Sequence, residues 1–138
     1  MISLIIGSKG SGKTKRLIDE VENRFEQSNG HVVCLEAKPK LTYDVVNGVR
    51  LLAAVDYGIS GYDSLYGFLS GICATDSDTT DILVDQTIKI GGEDRTELLE
   101  FIEKIGKLAN VCNTNFVFTI SSAEEDLPEE IFYTAQKM

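Results

Sequence analysis

The sequence predicts an α/β protein: a mostly parallel sheet with helices on both faces. Three observations carry that expectation. Short apolar runs at 2–6, 31–35, 82–84 and 116–120 are rich in branched residues and read as strands buried on both faces. Segments of helical period alternate with them. Two of the runs close on chemistry, the first on a glycine loop and the third on Asp85, at the strand ends where ligands gather in open parallel sheets.

The elements follow in order. Ile2, Ser3, Leu4, Ile5 and Ile6 form the first strand, and Leu17, Ile18, Val21 and Phe25 recur at helical spacing until Ser28, Asn29 and Gly30 stop the helix. The second strand, 31–35, ends at Glu36 before a polar turn containing proline. Residues 38–59 are the least legible part, with a candidate strand at 49–55. Leu65, Phe68, Leu69 and Ile72 mark a short amphipathic helix, weakened by Gly67 and Gly71. A loop is expected at 74–81, then a strand at 82–85. Asp94 and Glu97 resemble a capping box ahead of a helix whose apolar face is Leu98, Ile102, Ile105 and Ala109. The last strand, 116–120, runs into Ser121 and Ser122, and Pro128 opens a short acidic helix.

Size and composition favour a single domain over 1–138, since 43% hydrophobic and 25% charged residues describe an ordinary globular chain. The net charge of −9 repels nucleic-acid backbones and anionic membranes, so neither is an expected partner. The one basic cluster is Lys9, Lys13, Lys15 and Arg16. Cys34, Cys73 and Cys112 have no metal spacing and read as buried thiols of a reducing compartment. With no signal peptide and no run of about 20 apolar residues, a cytoplasmic location is expected. His31, the single histidine, starts a strand with no neighbouring partner in sequence, so no metal role is expected of it.

Gly7, Ser8, Lys9, Gly10, Ser11, Gly12, Lys13 and Thr14 read GSKGSGKT and fit G-x-x-x-x-G-K-[ST] between a strand and a helix. Glycines let backbone N–H groups turn inward around phosphate oxygens, and the following helix aims its positive end at them. Lys13 is expected on the β- and γ-phosphates and the Thr14 hydroxyl on Mg²⁺.

This loop resembles the Walker A motif of P-loop NTPases, and Ile82, Leu83, Val84 and Asp85 resemble their Walker B strand. The resemblance implies a three-layer P-loop NTPase fold that binds ATP with Mg²⁺, with Asp85 holding the metal. No N-K-x-D sequence is present to read guanine, which favours ATP, and Lys9 is one residue too close to Lys13 for the signature lysine of partition-type ATPases. Gln86 stands where many such ATPases carry a glutamate, and an amide cannot take a proton. The order of elements is similar to RecA-like ATPases, which implies Glu36 as the catalytic base and Ser121, with Thr119 and Ser122, as phosphate sensors. With 17 residues after Ser121, the core is expected to be minimal and truncated after the fourth core strand. Overall the chain resembles small bacterial P-loop ATP-binding proteins sometimes labelled twitching-motility-type ATPases. A motor of that type needs a further domain, for which 138 residues leave no room, so that label is not taken as function.

Three functions follow as expectations. The first is a small ATPase (a hydrolase) or ATP switch acting through a protein partner. The second, a nucleoside or small-molecule kinase, is weakened by having four arginines, Arg16, Arg24, Arg50 and Arg95, and no arginine-rich lid. The third is a nucleotide sensor without turnover.

Overall fold

The structure is a computed structural model that describes residues 1–42 and 44–138. Its strands are β1 (Ile2–Gly7), β2 (His31–Glu36), β3 (Arg50–Ala53), β4 (Thr79–Val84), β5 (Asn115–Ser121) and β6 (Gln136–Lys137). Its helices are α1 (Lys13–Gln27), α2 (Tyr62–Thr75), α3 (Thr87–Gly91) and α4 (Arg95–Cys112). All strand pairs are parallel, in the order β3-β2-β4-β5-β1-β6. β5 therefore separates β1 from β4.

The two faces of the sheet are covered unequally. Ile5, Val32, Cys34, Leu83 and Val117 face α1 and bury Leu17 and Val21. The opposite face, with Leu4, Val33, Leu35, Ile82, Val84, Phe116, Phe118 and Ile120, packs on α2, α3 and α4. Strand alternation makes this division, because successive side chains point to opposite faces. Both faces are apolar, so the strands read as unbroken hydrophobic runs.

Period 2 on β4 meets the helical stripe of α1 along the whole pairing. Asp81, Leu83 and Asp85 alternate onto the α1 side; Leu83 packs with Leu17 and Val21, Arg24 Nη1 donates to Asp81 Oδ2 at 3.0 Å, and Thr14 reaches Asp85. Arg24 Nε also donates to Glu20 at 2.6 Å, one helical turn back.

Several expectations need correction. The strand expected at 49–55 is confined to Arg50–Ala53, because the chain turns into a 3₁₀ segment, Ala54–Tyr57. The expected loop at 74–81 shrinks, since α2 continues to Thr75 and the β-branched pair Thr79 and Thr80 already belongs to β4. Pro128 precedes a 3₁₀ segment, Glu129–Tyr133, that buries Ile131 and returns the tail to the sheet as β6, an added edge strand. There Met138 N donates to Leu4 O at 2.9 Å. α3 follows Asp85 without a helical signal in the sequence. His31 has a partner, with Nδ1 2.6 Å from Asp76 Oδ2, because β4 pairs with β2 and brings the preceding turn alongside.

The capping expectation at α4 is met by Asp94, which accepts from Thr96 N at 2.9 Å and Glu97 N at 3.1 Å. Cys34 and Cys73 are buried, and burial pushes their thiols up to about 12 and about 11. Among the described residues no helix is long and apolar enough to cross a membrane.

Candidate functional site

The loop between β1 and α1 must reverse the chain within five residues, and two glycines make that possible. Gly10 (φ 83°) and Gly12 (φ 87°) occupy left-handed backbone, and a Cβ at either would meet nothing within 4 Å, so the restriction there is conformational. Gly7 is favoured for another reason: a Cβ there would lie 2.5 Å from Ser11 Oγ, and the serine would have to move. Ser11 N donates to Ser8 O at 3.1 Å, and Lys13 Nζ spans the loop to the same carbonyl at 2.7 Å. Lys13 is only 8% exposed. Burial lowers its ammonium pKa, and the Asp85 charge works against that shift.

Register assembles the other half. β4 pairs with β5 as Val84↔Phe118 and with β2 as Leu35↔Val84, so the next residues, Thr119, Asp85 and Glu36, stand in a row across three strand ends. Asp85 N donates to Leu35 O at 2.8 Å and continues the ladder by one residue. β1 pairs with β5 as Gly7↔Ser121, which sets Ser121 beside the start of the glycine loop. Thr14 Oγ1 is 3.1 Å from Asp85 Oδ2 and 3.4 Å from Oδ1. Thr119 Oγ1 donates to Asp85 Oδ1 at 2.7 Å and accepts from Gln86 N at 2.7 Å.

These groups border one cleft of about 350 Å³. Lys9, Gly10, Gly12, Lys13 and Thr14 form one wall, and Asp85, Gln86, Thr119 and Ser121 the other. Ser8 and Ser11 act from behind, in the turn itself, and Gly7 gives the loop its close start. Gln86 has φ 58°, one of two non-glycine residues in left-handed backbone among the described residues. It ends the line of β4 and opens α3.

Glu36 stands apart from this group. It is 3% exposed and does not border the cleft; its Oε1 accepts from Lys40 N at 2.8 Å and Leu41 N at 3.1 Å, holding the turn after β2. Burial raises its carboxyl pKa, and the two amides act in the opposite direction. Ser122 N donates to Gly7 O at 3.1 Å, while its hydroxyl is turned to Ala123 O at 2.9 Å. The hydroxyl of Thr119 is engaged by two other residues of the cleft wall, Asp85 and Gln86. A threonine two residues before a strand end carries no sequence signal of this role, which depends on the order of strands.

The residues present fit a nucleotide's phosphates with a divalent cation. The loop is a glycine cradle with a buried ammonium. Thr14 and Asp85 give an all-oxygen donor pair, suited to a hard cation such as Mg²⁺. Among the described residues no cluster of three or more His, Cys, Asp or Glu could hold a metal ion.

No family model matches the sequence, and no curated protein matches it. Among solved structures, the chain is similar to the pCW3 conjugation coupling protein TcpA, solved in a monomer form with ATPγS. The TM-score is 0.57 at 13% identity, covering 96% of this chain and 46% of that one. This chain thus spans less than half of that neighbour's length. At such identity the likeness speaks for the fold, and the three-layer P-loop-like fold expected from the sequence is the fold observed.

Proposed function

We propose that this chain binds ATP with Mg²⁺ and acts as an ATP-dependent switch or slow ATPase whose nucleotide state is read by a protein partner. One observation carries the reading: Lys13 and Thr14 from the β1–α1 turn meet Asp85 from the end of β4 in a single cleft. A neighbour of similar fold solved with ATPγS supports a nucleotide such as ATP, and the lack of a guanine-reading sequence favours ATP over GTP.

In this reading the loop amides and the positive end of α1 bind the phosphate chain. Lys13, on the wall of the cleft, exchanges its contact with Ser8 O for phosphate oxygens. Thr14 and Asp85 would hold Mg²⁺, which when bound neutralises charge on the β- and γ-phosphate oxygens. Ser121, exposed beside Gly7, is the group available to a terminal phosphate. Gln86 can orient a water but cannot accept its proton.

A second reading, nucleotide sensing without turnover, is favoured by Glu36. Its carboxylate, the nearest candidate base, is occupied by the Lys40 and Leu41 amides.

The experiment is ATP against GTP binding, with and without Mg²⁺, alongside phosphate release. Mg²⁺-dependent binding that favours ATP supports the proposal, and phosphate release separates ATPase from sensor. Failure to bind ATP at millimolar concentration overturns both readings.

A further inference from the structure

Thr119 has the most constrained hydroxyl in the cleft. It is 1% exposed, and both of its hydrogen-bonding capacities are used: the acceptor side takes Gln86 N–H at 2.7 Å, and the proton goes to Asp85 Oδ1 at 2.7 Å. A hydroxyl has one proton, so once Gln86 N–H approaches its lone pairs, the proton is steered to the carboxylate. We infer that Thr119 is a positioning residue, which fixes the Asp85 carboxylate and the left-handed turn at Gln86 and so acts on the cation, without touching phosphate.

The inference rests on the reading of Asp85 as the carboxylate on Mg²⁺. Its geometric basis is the strand order. β5 lies between β1 and β4, so a side chain on β5 can reach the end of β4 from the inside of the sheet, where the backbone is most rigid. Thr119 pairs in register with Ile5 on one side and follows the Phe118↔Val84 pair on the other. With Oδ1 tied to Thr119, Oδ2 is the carboxylate oxygen nearer to Thr14 Oγ1, at 3.1 Å against 3.4 Å for Oδ1.

The second contact does separate work. Gln86 at φ 58° adopts backbone that costs a non-glycine residue on the order of 1 kcal/mol or more. Its N–H is satisfied by a side chain where a strand neighbour would otherwise serve, and this lets the chain leave β4 directly after Asp85. Both contacts come from one oxygen, so the two effects should fail together.

The test uses ATPγS binding by calorimetry, in EDTA and in Mg²⁺, together with hydrogen exchange at the Gln86 amide. Thr119→Val is expected to lower the Mg²⁺-dependent gain in affinity roughly 10- to 100-fold, the range for residues that orient a metal ligand, and to leave the affinity in EDTA unchanged. The Gln86 amide should exchange faster, and Thr119→Ser should restore both. Thr119→Ala serves if the valine variant does not fold. Equal loss with and without Mg²⁺ would mean that Thr119 contacts phosphate, and overturns the inference. So does an unchanged Gln86 exchange rate. If the unsubstituted protein gains no affinity from Mg²⁺, the functional reading fails, whereas the exchange measurement still decides whether Thr119 holds the turn.

Discussion

Thr14 Oγ1 lies 3.1 Å from Asp85 Oδ2 across 71 residues of sequence. The contact joins the first turn of α1 to the end of β4, two elements with no covalent reason to meet. It is the upper end of a stripe that continues through Leu17 and Val21 over Leu83 to Arg24 on Asp81. The apolar middle of the stripe supplies the burial that fixes the helix, and the polar contacts lie near the two ends of β4. A shift of one residue in β4 would turn Asp85 to the opposite face, against α2 and α4. The packing of α1 is therefore what sets the spacing between hydroxyl and carboxylate.

Lys13 and Asp85, charged groups of opposite sign on the two walls of the cleft, should fail in different ways when replaced. Removing the Lys13 ammonium with Lys13→Ala should weaken ATP binding about 10- to 100-fold, the equivalent of one charge-assisted hydrogen bond. Asp85→Asn should leave binding in EDTA intact and abolish the benefit of Mg²⁺. Calorimetric titrations in both buffers check both variants, and a Lys13→Ala protein that binds ATP normally would remove the loop from the mechanism.

Gly12→Ala tests the conformational requirement of the turn. The space is open, so any cost comes from φ 87° alone, about 1–2 kcal/mol for an L-residue in this region. Chemical denaturation should show a loss of that size. Gly7→Ala is different in kind, since its Cβ meets Ser11 Oγ and the serine must move. Paired with Ser11→Gly, its effect should shrink, whereas that of Gly12→Ala should not.

Much of this site was legible in the sequence, and the unread part has a common physical origin. The glycine loop and Asp85 are local signals: spacing, glycine and a carboxylate at the end of an apolar run are sufficient. Thr119 and Gln86 both stand out in the sequence, but the contacts of Thr119 with Gln86 and Asp85, like the added β6, depend on which strand lies beside which, and adjacency is not written in local periodicity. Glu36 is the instructive case. Its position beside Asp85 follows from register, but its carboxylate is held by amides of a turn whose conformation the sequence did not disclose.

Arg24 and Asp81 give a stability test remote from the cleft. Asp81 is 5% exposed, and Arg24 is its charged partner at 3.0 Å. Arg24→Ala should destabilise the fold by about 3 kcal/mol, because it leaves a buried carboxylate without its cation. The double variant Arg24→Ala with Asp81→Val should recover much of that loss. Urea unfolding of the single and double variants checks the coupling.

Glu36 can be assigned by one substitution. Glu36→Gln keeps a carbonyl oxygen for the Lys40 and Leu41 amides and removes the proton acceptor. If the residue is only structural, phosphate release is unchanged; if it is the base, turnover is lost while the fold persists. Stability adds a second reading. The folded carboxyl pKa is raised by burial, so the native state holds a proton that the unfolded chain releases near pH 4.3. Stability should fall as pH rises from there through the folded pKa, and Glu36→Gln should flatten that slope.

His31 should add a loss of stability with rising pH over a higher range, and Asp76 the opposite trend at low pH. The hydrogen bond to Asp76 raises the His31 pKa, and the same contact, with the Asp78 amide, lowers that of Asp76. The histidine contribution is fully present below its unfolded value of about 6.5 and is lost as pH rises through the folded one. The aspartate contribution is present above about 3.9 and is lost as pH falls through its folded value. The pair is therefore most stabilising between those limits. Both groups are exposed, so the effect is small and salt-sensitive. Thermal melts of the wild type and His31→Asn at low salt should diverge most near pH 5 to 6 and converge above pH 8, and parallel curves would mean that the contact carries no stability.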